Sequence, residues 1–159
     1  MPGYASARAF VGPLREDTEF MSETDIYRKQ HAEIARLVRG VEVFLSPGKL
    51  PDDAAAARLK LSELAAKVEL HLAMEDGTLY PSLMAHQDPQ VRDKASHFNN
   101  EMSGIKAVFE TYSRKWTEAA IRENPGGFIG ETNKLFAALG NRIHRENTEL
   151  YPLLEPNPR

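Results

Sequence analysis

The chain contains no cysteine among its 159 residues. This absence excludes disulfide bonds, iron–sulfur clusters held by cysteine and zinc sites built on thiolates. Any metal ion that the protein binds must therefore be held by nitrogen and oxygen atoms.

The chain also lacks a long apolar run and a strong charge of either sign. No stretch reaches the roughly 20 apolar residues of a membrane-spanning helix, and the first 20 residues lack the apolar segment of a secretory signal. The net charge is −3, and the basic residues form no stripe that would indicate nucleic-acid binding. We therefore expect a cytoplasmic protein without nucleic-acid or membrane partners.

Apolar residues recur at helical spacing in four segments, and few stretches resemble strands. With 42% hydrophobic and 27% charged residues, the composition is that of an ordinary globular domain with its own core. Capping residues and helix breakers mark the segment boundaries at Ser22, Ser46-Pro47-Gly48, Asp88-Pro89, Asn124-Pro125-Gly126-Gly127 and Pro152. Four long helices with short connections predict an all-α fold, an up-down-up-down antiparallel four-helix bundle.

The predicted bundle occupies residues 22–154. Residues 1–21 carry prolines and glycines without a clear period, and we expect them to form a poorly ordered N-terminal arm. Residues 155–159 form a short C-terminal tail.

Each predicted helix carries one histidine at a similar depth. His31, His71, His97 and His144 lie eight to ten residues from a predicted helix end, which corresponds to about 12 to 15 Å along the axis. In an up-down bundle these four ends lie together, so we expect the four imidazoles to meet in one layer. Histidine and carboxylate together are the ligands of non-haem iron, manganese and zinc sites.

Two of the histidines have a glutamate on the same helix face. Glu75 and Glu101 each follow a histidine by four residues, a spacing at which two side chains can ligate one centre. A single pair of this kind is more often a surface ion pair. The conjunction of one histidine per helix at matching depths favours a metal site.

The fourth helix leaves two candidate ligands open. Glu149 follows His144 by five residues, so its approach needs local unwinding or a π-bulge. Glu146 competes, because it lies five residues before Tyr151 just as Glu75 lies five before Tyr80. Glu146 should face away from His144, and we favour Glu149.

This pattern resembles the haemerythrin-like (HHE cation-binding) domain family over residues 22 to 154. The family pattern is a lone histidine, then His-x-x-x-Glu, then a histidine-based pair, then His-x-x-x-x-acid. The corresponding residues here are His31, His71, Glu75, His97, Glu101, His144 and Glu149. The sequences Leu79-Tyr80-Pro81 and Leu150-Tyr151-Pro152, which close the second and fourth helices, are also typical of the group.

The resemblance implies a di-iron centre with an oxo or hydroxo bridge, for which zinc or manganese could substitute. A mononuclear or zinc site stays open, because imidazole and carboxylate do not select iron by themselves. Glu75 and Glu149 would bridge the irons. One iron would keep a position open for oxygen, peroxide or nitric oxide, and Tyr27 could donate a hydrogen bond there. Oxygen carriers have a histidine where Glu101 stands, so this carboxylate-rich variant should favour oxidation over reversible oxygen binding.

Three functions are compatible with this sequence. The leading interpretation is a non-haem di-iron protein that binds or reduces oxygen, peroxide or nitric oxide, with a reductase as its partner. An iron-sensing or iron-donating module would instead bind the metal without turnover and pass iron to an acceptor. A metal-free interaction domain would instead use helix charges such as Arg36, Arg39, Lys60 and Lys67.

Overall fold

The computed structural model describes residues 22–155, and this part of the chain is helical with no strand. The expected N-terminal arm and the last four residues lie outside the described range. The α-helices are α1 (Glu23–Glu42), α2 (Ala54–Met74), α3 (Tyr80–Met84), α4 (Pro89–Met102), α5 (Ile105–Lys115), α6 (Glu118–Glu123) and α7 (Pro125–Arg145). The predicted all-α helical bundle is confirmed. None of the described helices is long and apolar enough to cross a membrane.

Capping side chains begin the helices where the sequence places them. The Asp25 carboxylate accepts a hydrogen bond from the Ser22 amide at 2.8 Å at the start of α1. Asp88 caps α4 through the Gln90 amide at 2.9 Å, and Asn124 caps α7 in the same way. Each cap satisfies an amide that the helix leaves unpaired, and so fixes the residue at which the helix begins.

Replacing Asp88 with alanine should lower the free energy of unfolding by about 1 kcal/mol, because the first turn of α4 loses its cap. Chemical denaturation measures this difference. Asp93→Ala is the matched control, because Asp93 is an exposed aspartate inside α4. An equal loss in both variants would contradict the capping argument.

The third predicted helix is interrupted, which differs from the expected single long helix. Gly104 adopts a positive φ of 95°, and the chain turns there between α4 and α5. A left-handed backbone suits glycine and ends a helix. A second interruption at Trp116 separates α5 from the short helix α6. The four long segments thus become three long helices and a broken one.

Within residues 22–155, the core consists of two apolar clusters. The larger one packs α1, α2, α5, α6 and α7 around residues such as Ile34, Leu72 and Leu139. The smaller one contains Tyr27, Leu150 and other side chains near the ends of α2 and α7. Several polar and charged side chains on the same helices are also buried, including His31, His71, Glu75 and Glu146. Burying such groups is costly unless they find partners.

Candidate metal centre

Four buried side chains bring one donor atom each into a single cluster. They are His31, His71, Glu75 and Glu146, and their donor atoms lie within 4.8 Å of one another. The least buried of the four exposes only 3% of its surface. Two imidazoles and two carboxylates form a nitrogen and oxygen set that suits iron, manganese or zinc.

Three helices supply these side chains from their inward faces. His31 lies one turn from both Tyr27 and Ile34, which belong to the two different apolar clusters. His71 and the following Glu75 lie at the end of α2 at i,i+4 spacing, so they share one face. On α7 the inward face runs through Leu139 and Arg142 and leads to Glu146. The apolar periodicity of each helix therefore determines which polar residue becomes buried.

Each of the two glutamates begins a π-helical turn. These turns, Glu75–Leu79 and Glu146–Leu150, are each followed by a tyrosine and a proline. The amide of Tyr80 donates to the Glu75 carbonyl, a bond five residues back. The proline that follows has no amide hydrogen and its ring crowds the preceding turn, so the helix widens there. The repeated Tyr-Pro sequence thus places two carboxylates at equivalent positions.

Two amide side chains fix the orientation of the imidazoles. Nδ1 of His31 lies 2.8 Å from Oδ1 of Asn147, and Nδ1 of His71 lies 2.6 Å from Oε1 of Gln30. An amide oxygen can only accept, so each Nδ1 carries the hydrogen. When an imidazole is neutral, this leaves a lone pair on Nε2. Outer hydrogen bonds of this kind orient metal-binding histidines.

The two Nε2 atoms face each other at 2.9 Å. Two lone pairs at this distance repel unless a proton or a metal ion lies between them. Burial alone would lower the pKa of His31, but the Glu146 and Glu75 carboxylates outweigh it and raise this pKa to about 9. Burial and the nearby His31 lower the pKa of His71 to about 3. A proton on His31 therefore provides the positive charge when no ion is bound.

Three of the four carboxylate oxygens in the cluster also lack a hydrogen bond. Both oxygens of Glu75 and Oε1 of Glu146 are buried without a hydrogen bond from the described residues. Burial and the neighbouring Glu75 raise the pKa of Glu146 to about 7. Buried carboxylate oxygens without a hydrogen bond are costly, and pairing with a charge or coordination of a metal ion offsets this cost. The residues present therefore fit a metal ion.

A buried arginine lies on the far side of the two carboxylates. Arg142 is 3% exposed, and its Nε lies 3.4 Å from Oε2 of Glu146. Its Nη2 lies 3.9 Å from Oε2 of Glu75 and 3.4 Å from Oδ1 of Asp76. The site thus contains a permanent cation that sequence reasoning missed. Arg142 lies four residues before Glu146 on an apolar helix face, and this spacing was the feature of the sequence that indicated a buried arginine next to the carboxylate.

The structure brings together only three of the seven residues expected to bind metal. His31, His71 and Glu75 are in the cluster. The others lie elsewhere: His97 has a side chain 68% exposed and pairs with Glu101 on the surface of α4. His144 is exposed on α7. The four histidines therefore do not meet in one layer, contrary to expectation.

Helix orientation explains why the histidines of α4 and α7 point outwards. The buried residues of α4 are Val91, Ala95 and Phe98, and His97 precedes this face by about 100°. His144 follows the buried Arg142 by two residues, which places it about 200° around α7. Matching depth along a helix does not determine direction around it.

The expected choice of Glu149 over Glu146 also differs from the structure. The side chain of Glu149 is 42% exposed and lies 3.5 Å from Arg145, whereas Glu146 is fully buried. A π-helical turn forms there as considered, but its first residue, Glu146, is the one that joins the cluster, and Glu149 in the same turn does not. The equal spacing of Glu75 and Glu146 from their tyrosines was the signal for the buried residue.

Three tyrosines surround the cluster. Tyr151 places its hydroxyl 3.1 Å from Nε2 of His31, and Tyr80 donates to Oε2 of Glu146 at 2.8 Å. Burial, followed by the nearby carboxylates, raises the pKa of both phenols, so both remain protonated. Tyr27 packs its ring edge against His71 at 6.2 Å between centroids. Its expected contact with a bound ligand stays a prediction.

The family model described as the hemerythrin HHE cation binding domain matches residues 16–154. No curated protein and no solved structure matches the chain. The matched range contains the whole cluster and the buried arginine.

Proposed function

Since this chain belongs to the hemerythrin HHE cation-binding domain family, as its motifs predicted, we propose that it is a non-haem iron-binding protein. The proposed ligands are His31, His71, Glu75 and Glu146. The observation that carries the proposal is the convergence of four buried donor atoms within 4.8 Å. Two neutral imidazoles and two carboxylates balance the charge of a divalent ion, and manganese or zinc could substitute for iron.

We further propose that the site takes up a small molecule, namely oxygen, hydrogen peroxide or nitric oxide. Bound iron would supply Lewis acidity and one-electron redox chemistry. The Tyr151 hydroxyl, 3.1 Å from Nε2 of His31, can donate a hydrogen bond to a molecule held there. The smaller apolar cluster, with Tyr27 and Leu150, keeps bulk water away. A cytoplasmic location and a partner that supplies electrons remain predictions.

The test is metal content followed by ligand titration. The protein is loaded with Fe(II) without oxygen, desalted, and assayed for retained iron. Nitric oxide is then titrated and followed by electron paramagnetic resonance, and peroxide consumption is measured in parallel. Retained iron with a nitric oxide signal supports the proposal. Failure to retain any metal would contradict it and leave the metal-free interaction domain.

An iron-responsive module is the second candidate, because the four donors come from three helices. α1, α2 and α7 each supply at least one of the donor residues. An ion that joins three helices stabilises the bundle as it binds. This arrangement favours a module in which iron binding increases the stability of the folded helices, so that a partner can distinguish the iron-bound from the iron-free form.

Saturation with Fe(II) should therefore raise the melting temperature. An ion at about 100 times its dissociation constant adds roughly 2.7 kcal/mol, which corresponds to about 5 to 10 °C for a domain of this size. Thermal unfolding with and without iron, under anaerobic conditions, measures the shift. Magnesium is the control, because it binds imidazole poorly. If the protein retained iron but its melting temperature did not change, the hypothesis of an iron-responsive module would be contradicted.

A further inference from the structure

Each carboxylate in the cluster presents its two oxygens to two different partners. Oε1 of Glu146 lies 3.5 Å from Nε2 of His31, and Oε1 of Glu75 contacts both histidines. The Oε2 atoms point the other way, towards the guanidinium of Arg142. The two carboxylates therefore contact the histidines through their Oε1 atoms and face the arginine through their Oε2 atoms.

The guanidinium of Arg142 has further polar partners on its own side of the carboxylates. Besides the two glutamates, Oδ1 of Asp76 lies 3.4 Å from Nη2 of Arg142. The Met102 carbonyl accepts from Nη1 at 3.3 Å, and the guanidinium lies 5.5 Å from the centre of the Tyr80 ring. Three carboxylates thus surround a position that a guanidinium occupies.

Charge balance at this position admits one divalent ion. The three carboxylates of Glu75, Glu146 and Asp76 carry three negative charges, and Arg142 compensates one of them. A single divalent ion on the histidine side makes the group neutral. A second divalent ion would leave two uncompensated positive charges beside a buried guanidinium, which is strongly unfavourable at low dielectric.

We propose that Arg142 stands in place of a second metal ion, so that this chain binds one cation rather than a pair. The inference rests on the proposed metal-binding function. It departs from the two-iron centre that the family resemblance implied, since His97, Glu101, His144 and Glu149 do not reach the cluster. A side chain with a fixed charge replaces an exchangeable ion.

The position of Arg142 is also reachable from outside. The arginine lines a largely apolar cavity of about 350 Å³ at the break between α4 and α5, together with Met102, Ser103, Leu135 and Asn141. Removal of the guanidinium would join its space to this cavity. A metal ion could then enter and meet the carboxylate oxygens of Glu75, Glu146 and Asp76, which are ligands for a hard cation.

The experiment counts bound Mn(II), which is stable in its reduced state and detectable by electron paramagnetic resonance. Wild type, Arg142→Met, Arg142→Lys and Arg145→Met are loaded with excess Mn(II) and desalted. Metal per chain is measured by mass spectrometry, and folding by circular dichroism. Arg145 is the matched control, because it is a half-buried arginine on the same helix that pairs with Glu101 and Glu149 outside the cluster.

We expect one Mn(II) per chain in wild type, Arg142→Lys and Arg145→Met, with the spectrum of an isolated ion. Arg142→Met should bind a second ion, and its spectrum should show coupling between two ions. Two ions per wild-type chain, or only one in a folded Arg142→Met protein, would overturn the inference while leaving the proposed function intact. No bound metal in wild type would overturn both. If Arg142→Met does not fold, the wild-type count decides.

Discussion

Replacing His71 with alanine is expected to abolish metal binding. His71 is 1% exposed, and its Nε2 contacts Oε1 of Glu75 and faces His31 at 2.9 Å. Loss of an outer hydrogen bond to a ligand costs roughly 10- to 100-fold in affinity, so loss of the ligand itself should exceed that range. Isothermal titration with Mn(II) or Zn(II) measures the affinity.

The controls are His97→Ala and His144→Ala. Both histidines are exposed, so we expect their variants to bind metal with unchanged affinity. His71→Gln is a second variant that retains most of the side-chain volume, and it tests metal binding if His71→Ala does not fold. A loss of binding in the His97 or His144 variant equal to that in His71→Ala would show that α4 or α7 supplies a ligand by another arrangement.

Glu146→Gln should have the second largest effect, because it removes one of two carboxylate ligands. The amide keeps the size of the side chain but loses the negative charge that Arg142 and a metal ion share. We expect metal affinity to fall by at least about 100-fold, as a ligand contributes more than its supporting hydrogen bonds. Retained metal after anaerobic loading and desalting gives the readout.

Glu149→Gln is the matched control for this change. Glu149 lies three residues further on and pairs with Arg145 at the surface, so its replacement should leave metal binding within about twofold of wild type. Exposed ion pairs of this type contribute little to stability. If Glu149→Gln lost its metal and Glu146→Gln kept it, the assignment on the last helix would be reversed.

The lone histidine and the His-x-x-x-Glu pair could be predicted from the sequence because both depend on local spacing. His71 and Glu75 share a face in any α-helix, and the apolar residues around His31 direct it inwards. His97 and Glu101 share a face by the same rule, yet that face is exposed. The spacing predicts that two residues point the same way, but not which way they point.

The break at Gly104 illustrates a second limit. The apolar period predicts a helix on both sides of Ser103-Gly104, and the structure has α4 and α5 there. The positive φ of Gly104 changes the direction of the chain between them. Which face of α4 turns inwards therefore follows from packing against α3 and the smaller apolar cluster, in which Phe98 is the largest side chain that α4 buries.

Helical period, capping residues and composition act locally, so the helical fold, most helix boundaries, the family and the exclusion of thiolate ligands follow from the amino-acid sequence. The burial of Glu146 rather than Glu149, and the contact of Arg142 with the far side of the carboxylates, follow from tertiary packing. Those outcomes depend on the rotation of α7 about its own axis, which is fixed by the packing of Phe136 and Leu139 in the larger cluster. A rotation by one residue shifts every side chain by about 100°, and sequence spacing alone does not resolve it.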